Sequence, residues 1–165
     1  MDKYMYKSKV YSVVECTLED IPSHIERVFS YWQSANVNIT EQTSLLEKAV
    51  ANHTAYKVIN DNGDTEAAIY YEHTHLQSVM SYYLWFKDKR MFAILCYFLR
   101  MRKYLHYIYF LPHVKNYIPF EFIVDDDSIR AFHLNGTPLR IDLTSKKSNY
   151  LYEDHFKAYD IRRIE

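Results

Sequence analysis

One strongly apolar helix in the second half of the chain constrains the fold more than any other feature. The segment from Lys87 to about Tyr104 starts with charged residues and ends with Arg100, Arg102 and Lys103, and cations suit the negative end of a helix. The apolar residues of its centre are Met91, Phe92, Ile94, Leu95, Phe98 and Leu99. Such a helix needs cover on most of its sides, and in an α/β domain a sheet provides that cover. We therefore expect an α/β domain in which this helix packs on a sheet.

The residues before this helix predict a strand followed by two helices. Val10 to Cys16 is predicted as the first strand. Thr17 to Asp20 resembles a capping box and precedes apolar residues at helical spacing that end at Trp32. The same spacing predicts a second helix from Glu41 to about Asn52, with Thr40 as its cap.

Three further strands are predicted between the second helix and the apolar helix. The β-rich segments Tyr56–Ile59 and Ala67–His73 flank Asn62-Gly63, and an Asn-Gly pair between such segments is a strong hairpin signal. A third strand from about Ser78 to Phe86 follows a short break. The sequence therefore predicts a hairpin and one more strand directly before the apolar helix.

The residues after the apolar helix predict a strand, a short helix and a second hairpin. A strand over His106–Leu111 is followed by one or two helical turns over His113–Tyr117. Two strands, over residues 129–134 and 139–143, flank Asn135-Gly136. The sheet is therefore expected to continue on the far side of the apolar helix.

A polar segment, Thr144–Asn149, separates the last part of the chain from the rest. We therefore divide the chain into a domain over residues 1–143 and a helical extension over residues 144–165. The extension carries three aromatic residues at helical spacing: Tyr152, Phe156 and Tyr159. This aromatic face either covers the domain's own sheet or docks onto a protein partner or larger assembly, a role for which tyrosine is well suited.

The overall composition argues against several classes of protein. At 165 residues with 48% hydrophobic content, one domain is the default. The 20 Lys and Arg against 21 Asp and Glu give no global field that attracts nucleic acid or an anionic membrane. Cys16 and Cys96 are isolated, and no apolar signal region follows the N-terminus. We expect a protein of the reducing cytoplasm, without disulfides or a membrane span.

Two groups of residues, one of histidines and one of basic residues, could in principle bind a metal ion or nucleic acid. His73 and His75 share one face of a strand and, with His106 or His133, could approach a metal ion, but no nearby cysteine or paired carboxylate completes a ligand set. Basic residues cluster at the two ends of the apolar helix: Lys87, Lys89, Arg90, Arg100, Arg102 and Lys103. The two ends lie roughly 20 Å apart, so this patch is discontinuous. We expect neither a metal site nor nucleic-acid binding.

The predicted order of elements resembles the GCN5-related N-acetyltransferase (GNAT) fold. Over residues 10–143 the order is β-α-α-β-β-β-α-β-α-β-β, in a mixed sheet. In that family the fourth strand runs into an Arg/Gln-x-x-Gly-x-Gly/Ala loop, whose amides and following helix N-terminus hold the pyrophosphate of acetyl-CoA. The matching stretch here, Phe86–Phe92, has no glycine. The whole chain has only 2 glycines, where average usage would give about a dozen, and bulkier residues hinder the close approach of a phosphate to the backbone.

The resemblance implies roles for five residues. Lys87, Lys89 and Arg90 would attract the phosphates of acetyl-CoA to the helix N-terminus. Tyr117 lies roughly where the family often places a general acid, and Glu72, at the end of a strand, would act as a base.

Two hypotheses about function follow from the resemblance. The first is a non-catalytic GNAT-like binding or structural protein without a cofactor, because glycine-poor GNAT-like domains occur among tailed-phage proteins, including virion-associated ones. Its partner would be a protein assembly, reached through the aromatic extension, and its location the host cytoplasm or the virion. The alternative is an acetyl-CoA-dependent N-acyltransferase.

Overall fold

The computed structural model describes residues 2–75, 77–110, 139–143 and 160–164. Within these residues one sheet contains eight strands: β1 (Asp2–Tyr6), β2 (Lys9–Glu15), β3 (Ala55–Ile59), β4 (Thr65–His75), β5 (Ser78–Phe86), β6 (Tyr107–Phe110), β7 (Leu139–Asp142) and β8 (Ile161–Ile164). The helices are α1 (Ile21–Ser34), α2 (Ile39–Ala51) and α3 (Lys89–Lys103), and a 3-10 turn (Leu18–Asp20) precedes α1.

The strands lie across the sheet in the order β7-β6-β5-β4-β3-β2-β1-β8. All neighbours are antiparallel except β5 and β6. These two are parallel because α3 carries the chain back between them, which is the crossover that a parallel pair requires. Their pairing joins Ser78–Ser81 to Tyr107–Phe110. The predicted mixed sheet of an α/β domain is confirmed.

Helices cover both faces of the sheet. Along β4, Ala67 and Ile69 belong to the core under α3, whereas Ala68 and Tyr70 belong to the core under α1 and α2. This alternation is expected of a central strand. The buried residues of α3 are Met91, Phe92, Ala93, Ile94, Leu95, Cys96, Phe98 and Leu99. The prediction that the apolar helix packs on the sheet is therefore confirmed.

The hairpin predicted from Asn62-Gly63 joins β3 to β4. Oδ1 of Asn60 accepts hydrogen bonds from the backbone N–H groups of Asn62 at 2.9 Å and Asp64 at 3.0 Å. Gly63 has a φ of 82°, a conformation that glycine adopts without strain. Asn60 thus closes the turn with its own side chain.

The two ends of the chain differ from the prediction. The sequence predicts no strand before Val10, but β1 pairs with β2 and buries Tyr4 completely in the core under α3. β8 pairs with β1, so residues 161–164 form a strand of the sheet where a helical extension is predicted. The sequence Ile161-Arg162-Arg163-Ile164 lacks the alternation of apolar and polar residues that predicts a strand. The helix predicted over residues 152–159 lies outside the described residues, as do the elements predicted over residues 113–134.

The starts of α2 and α3 are set by polar caps. α2 begins at Ile39, because Oδ1 of Asn38 accepts a hydrogen bond from the N–H of Glu41 at 3.0 Å. The predicted cap, Thr40, is therefore wrong and lies inside the helix. α3 begins two residues later than predicted, with Asp88 as its cap.

A buried histidine lies between α1 and the sheet. His24 is completely buried, and its Nδ1 atom shares a hydrogen bond of 2.6 Å with the hydroxyl group of Tyr70. The backbone carbonyl of His24 accepts a hydrogen bond from the hydroxyl of Tyr83 at 2.9 Å, and the two rings stack. His24 therefore ties α1 to β4 and β5.

We predict that His24 makes the protein less stable in acid. Burial lowers the pKa of His24 to about 4, an effect that Asp20 opposes and that Arg27 and Lys57 reinforce. A histidine in an unfolded chain has a pKa of about 6.5, so the unfolded state binds the proton first as the pH falls. The free energy of unfolding should fall by about 3 kcal/mol between roughly pH 6.5 and pH 4, with no further loss from this group below that range. Urea unfolding at a series of pH values measures the change.

A matched variant isolates the histidine in this measurement. His24→Phe removes the titrating group and keeps an aromatic ring in the site. Its free energy of unfolding should depend less on pH over the same range, whatever its value at neutral pH. An equal pH dependence in the variant and the wild type would contradict the prediction.

Candidate functional site

A bulge in β5 turns two adjacent tyrosines to the same side of the sheet. Tyr70 pairs with Tyr83 but Tyr71 pairs with Ser81, so Tyr82 is the extra residue. Bulges re-aim side chains and are frequent next to active sites. Both Tyr82 and Tyr83 consequently pack with the core under α1 and α2. The bulge directly follows Ser81, where the described pairing of β5 with β6 ends.

A shallow pocket of about 210 Å³ lies beside this bulge, between α2 and the sheet. It is lined by Leu45, Lys48, Ala49, Asn52, Thr54, Tyr71, Glu72, His73 and Tyr82. The hydroxyl of Tyr82 donates a hydrogen bond to Oε2 of Glu72. The ammonium nitrogen of Lys48 lies 3.9 Å from Oε1 of the same carboxylate. Glu72, the predicted base, therefore shares a pocket with a hydroxyl donor and a cation.

The Glu72–Tyr82 pair favours one arrangement of protons. Burial, together with the hydrogen bond and the charge of Glu72, raises the pKa of Tyr82 to about 12. The phenol therefore keeps its proton at neutral pH and orients the carboxylate. The side chain of Glu72 is 44% exposed, so a ligand in the pocket can reach it. A carboxylate in this position can accept a proton from an amine that enters the pocket.

The N-terminus of α3 is closed by its own cap. The carboxylate of Asp88 accepts hydrogen bonds from the N–H groups of Arg90 at 2.8 Å and Met91 at 3.3 Å. Amides in this position bind phosphate at other helix N-termini. Asp88 therefore occupies these amides and adds a negative charge where a bound anion would lie.

The three basic residues predicted to bind phosphate have separate surroundings. The ammonium nitrogen of Lys87 lies 3.5 Å from Oε2 of Glu66. The guanidinium of Arg90 lies 4.8 Å from the centre of the Tyr6 ring. Lys89 is the exposed first residue of α3. All three residues lie at the start of α3, and their role in binding phosphate stays a prediction.

Four predicted site residues lie outside the described residues: Tyr117, Tyr152, Phe156 and Tyr159. Their roles stay predictions. In the described part of the chain, no group of three or more His, Cys, Asp and Glu residues could hold a metal ion. None of the helices in that part is long and apolar enough to cross a membrane.

The sequence pattern does not identify Lys48, Tyr82 or Asp88 as site residues. A signal existed for Asp88, because aspartate directly before a helix is a favoured N-cap. Lys48 and Tyr82 belong to no motif. The packing of α2 on the sheet brings Lys48 to Glu72 and the bulge in β5 brings Tyr82 there, and neither the packing nor the bulge can be located from the sequence alone.

Comparisons with known proteins identify the fold. No family model and no curated protein matches the sequence. Among solved structures, an acetyltransferase of the GNAT family from Listeria monocytogenes is 8% identical with a TM-score of 0.53, over 86% of this chain and 99% of that one. A GNAT-family acetyltransferase from Staphylococcus aureus is 11% identical with a TM-score of 0.55, over 81% and 99%. The chain therefore has the GNAT fold, as predicted from the order of its elements.

A third similar structure is that of a protein bound to coenzyme A. It is the catalytic domain of the Tetrahymena GCN5 histone acetyltransferase, which is 10% identical with a TM-score of 0.52, over 88% of this chain and 100% of that one. At these identities the similarity concerns the fold alone.

We predict that Glu72→Gln lowers the pKa of Tyr82. Glutamine keeps an acceptor for the phenol but removes the negative charge that opposes its ionisation. The pKa of about 12 should fall toward the ordinary value of 10.0 without reaching it, because the burial of Tyr82 remains. NMR titration of ring-labelled tyrosine measures the change, with Tyr82→Phe to assign the signal. An unchanged titration of Tyr82 in the Gln variant would show that the carboxylate does not act on the phenol.

Proposed function

We propose that the protein is an N-acyltransferase that transfers an acyl group from acyl-CoA to an amine. The observation that carries the proposal is the Glu72–Tyr82 pair, in a pocket beside the end of the parallel pairing of β5 and β6. The GNAT fold supports the proposal by analogy only, because one fold can host unrelated functions. The solved complex of the Tetrahymena domain with coenzyme A is consistent with acyl-CoA as the donor substrate.

In this proposal Glu72 is the general base. An acceptor amine enters the pocket as an ammonium ion, whose proton must leave before the nitrogen can attack. Glu72 accepts that proton while Tyr82 holds the carboxylate in place. The nitrogen attacks the thioester carbonyl, the C–N bond forms and the C–S bond breaks, and the nitrogen loses a second proton that replaces the one given to the leaving thiolate. The proton for the leaving thiolate is assigned to Tyr117 on the family resemblance alone.

The start of α3 does not fit a pyrophosphate bound through helix amides. Asp88 already accepts hydrogen bonds from the amides of Arg90 and Met91, and its charge repels an anion. Donor phosphates would instead meet the exposed side chains of Lys87 and Lys89. Donor binding in this chain therefore depends on side-chain charge rather than on a backbone cradle.

The second candidate function is that of a non-catalytic binding or structural protein. The Asp88 cap favours it, because a domain that binds no acyl-CoA can satisfy its helix amides internally. In that role the chain would join a protein assembly, such as a virion, through surfaces that include the aromatic residues Tyr152, Phe156 and Tyr159. It would need no cofactor.

Calorimetric titration with acetyl-CoA distinguishes the two candidates. We predict measurable binding that weakens when Lys87 and Lys89 are both changed to Glu, because the donor phosphates lose two cations and meet two anions. A folded wild-type protein that shows no binding would contradict the N-acyltransferase and favour the non-catalytic protein.

Asp88→Asn tests the part that the cap plays. Asparagine is as good an N-cap as aspartate, so α3 stays capped while the negative charge is removed. We predict that acetyl-CoA binds about fivefold more tightly, since the repulsion between exposed charges at close range is about 1 kcal/mol. Glu26→Gln, which removes an exposed charge from α1 on the opposite face of the sheet, should leave the affinity unchanged. Equal affinities in the Asn variant and the wild type would show that Asp88 does not oppose the donor.

A further inference from the structure

We propose that the protein acylates its own Lys48. This inference rests on the N-acyltransferase function proposed above and adds a modification site to it. The Nζ atom of Lys48 lies 3.9 Å from Oε1 of Glu72, inside the pocket that an acceptor amine would enter. Lys48 thus puts a primary amine beside the group that would accept its proton.

The position of Lys48 follows from the end of α2. Leu46 and Ala49 are buried in the core under α1 and α2 and hold the helix against the sheet. Lys48 lies in the last turn of α2, where the negative end of the helix dipole favours a cation. The neighbouring residues of the helix therefore fix its backbone, and its side chain reaches Glu72 across the pocket.

The ion pair between Lys48 and Glu72 is weak enough to open during a reaction. The two side chains are 63% and 44% exposed, and exposed pairs contribute between roughly 0 and 1 kcal/mol to stability. The fold does not depend on this pair. The ammonium of Lys48 can therefore leave Glu72 and move toward a bound thioester at little cost.

The reaction needs no reagent other than acyl-CoA. Glu72 takes one proton from the ammonium of Lys48, and the lone pair of Nζ attacks the thioester carbonyl. The C–N bond of the amide forms, the C–S bond breaks, and coenzyme A leaves as a thiolate that takes up the second proton lost by Nζ. Lys48 becomes a neutral acyl amide. No atom is oxidised or reduced.

Other lysines of the described residues are placed differently. Lys57 lies 2.7 Å from Oδ1 of Asp20 and its side chain is 17% exposed. Lys9 is exposed but does not line the pocket. Acylation that depends on Glu72 should therefore mark Lys48, whereas uncatalysed acylation should mark any exposed lysine, including Lys9.

Peptide mass spectrometry after incubation with acetyl-CoA tests the proposal. Lys48 should be acetylated at least about tenfold faster than Lys9, a modest share of what general-base catalysis can contribute. Glu72→Gln should remove this difference and leave the rate at Lys9 unchanged. Equal rates at Lys48 and Lys9 in the wild type, or a rate at Lys48 that is insensitive to Glu72→Gln, would overturn the proposal.

Two further measurements separate this proposal from the function on which it rests. Acetyl-CoA binding is measured by calorimetry, and acetylation of added n-butylamine is measured in solution. If acetyl-CoA binds and butylamine is acetylated while Lys48 is not, self-acylation is wrong and the N-acyltransferase stands. If acetyl-CoA does not bind, both proposals are wrong.

A binding measurement without acyl donor tests whether the ammonium of Lys48 occupies the position that an acceptor amine would take beside Glu72. In Lys48→Ala the pocket should bind n-butylammonium, seen as a shift of the Tyr82 ring signal by NMR. Lys48→Arg keeps a cation beside Glu72 and should bind the ligand several-fold more weakly. Equal binding by the Ala and Arg variants would count against this placement of Lys48 and so against the proposal.

Discussion

The burial of α3 against the sheet is the interaction on which the rest of the structure depends. Phe92, Ile94 and Leu99 are 1% exposed or less, and full burial of one such side chain contributes about 1.5–3 kcal/mol. The same packing makes α3 the crossover that sets β6 parallel to β5. It also fixes the two ends of the helix. At the N-terminal end Asp88 caps the helix. In the last turn Arg102 donates a hydrogen bond to Asp2 of β1 at 2.9 Å.

Elements whose own residues carry a clear period could be predicted from the sequence. β5 agrees with its predicted range and α3 begins and ends within two residues of it, because burial imposes an apolar pattern on each. β1 and β8 could not be predicted in this way. β1 is a strand because it pairs with β2, and β8 is a strand because it pairs with β1. Tyr4 is opposite Arg163 in this second pairing, and no local pattern joins residues so far apart in the chain. Glu72 could be proposed from its position at a strand end, but its partners Lys48 and Tyr82 could not.

The bulge in β5 explains why two adjacent tyrosines have different roles. In a regular strand, neighbouring side chains point to opposite faces, so Tyr82 and Tyr83 could not both face α1 and α2. With the bulge, the hydroxyl of Tyr83 donates a hydrogen bond to the carbonyl of His24 inside the core. The hydroxyl of Tyr82 donates a hydrogen bond to Glu72, which lines the pocket with it. The buried contact between Tyr83 and His24 therefore anchors β5 one residue away from Tyr82, which limits how far Tyr82 can move.

In the proposed N-acyltransferase, the Asp88 cap would weaken donor binding without preventing it. If a donor phosphate displaced the cap from its amides, the release would cost about 1 kcal/mol, and repulsion between exposed charges at close range would add about 1 kcal/mol. A total of about 2 kcal/mol weakens binding about 30-fold, whereas a micromolar complex has about 8 kcal/mol of binding free energy. The cations of Lys87 and Lys89 offset part of that loss. The absence of glycine between Phe86 and Phe92 therefore does not by itself exclude acyl transfer, and the carboxylate of Glu72 in its pocket becomes the feature that favours it.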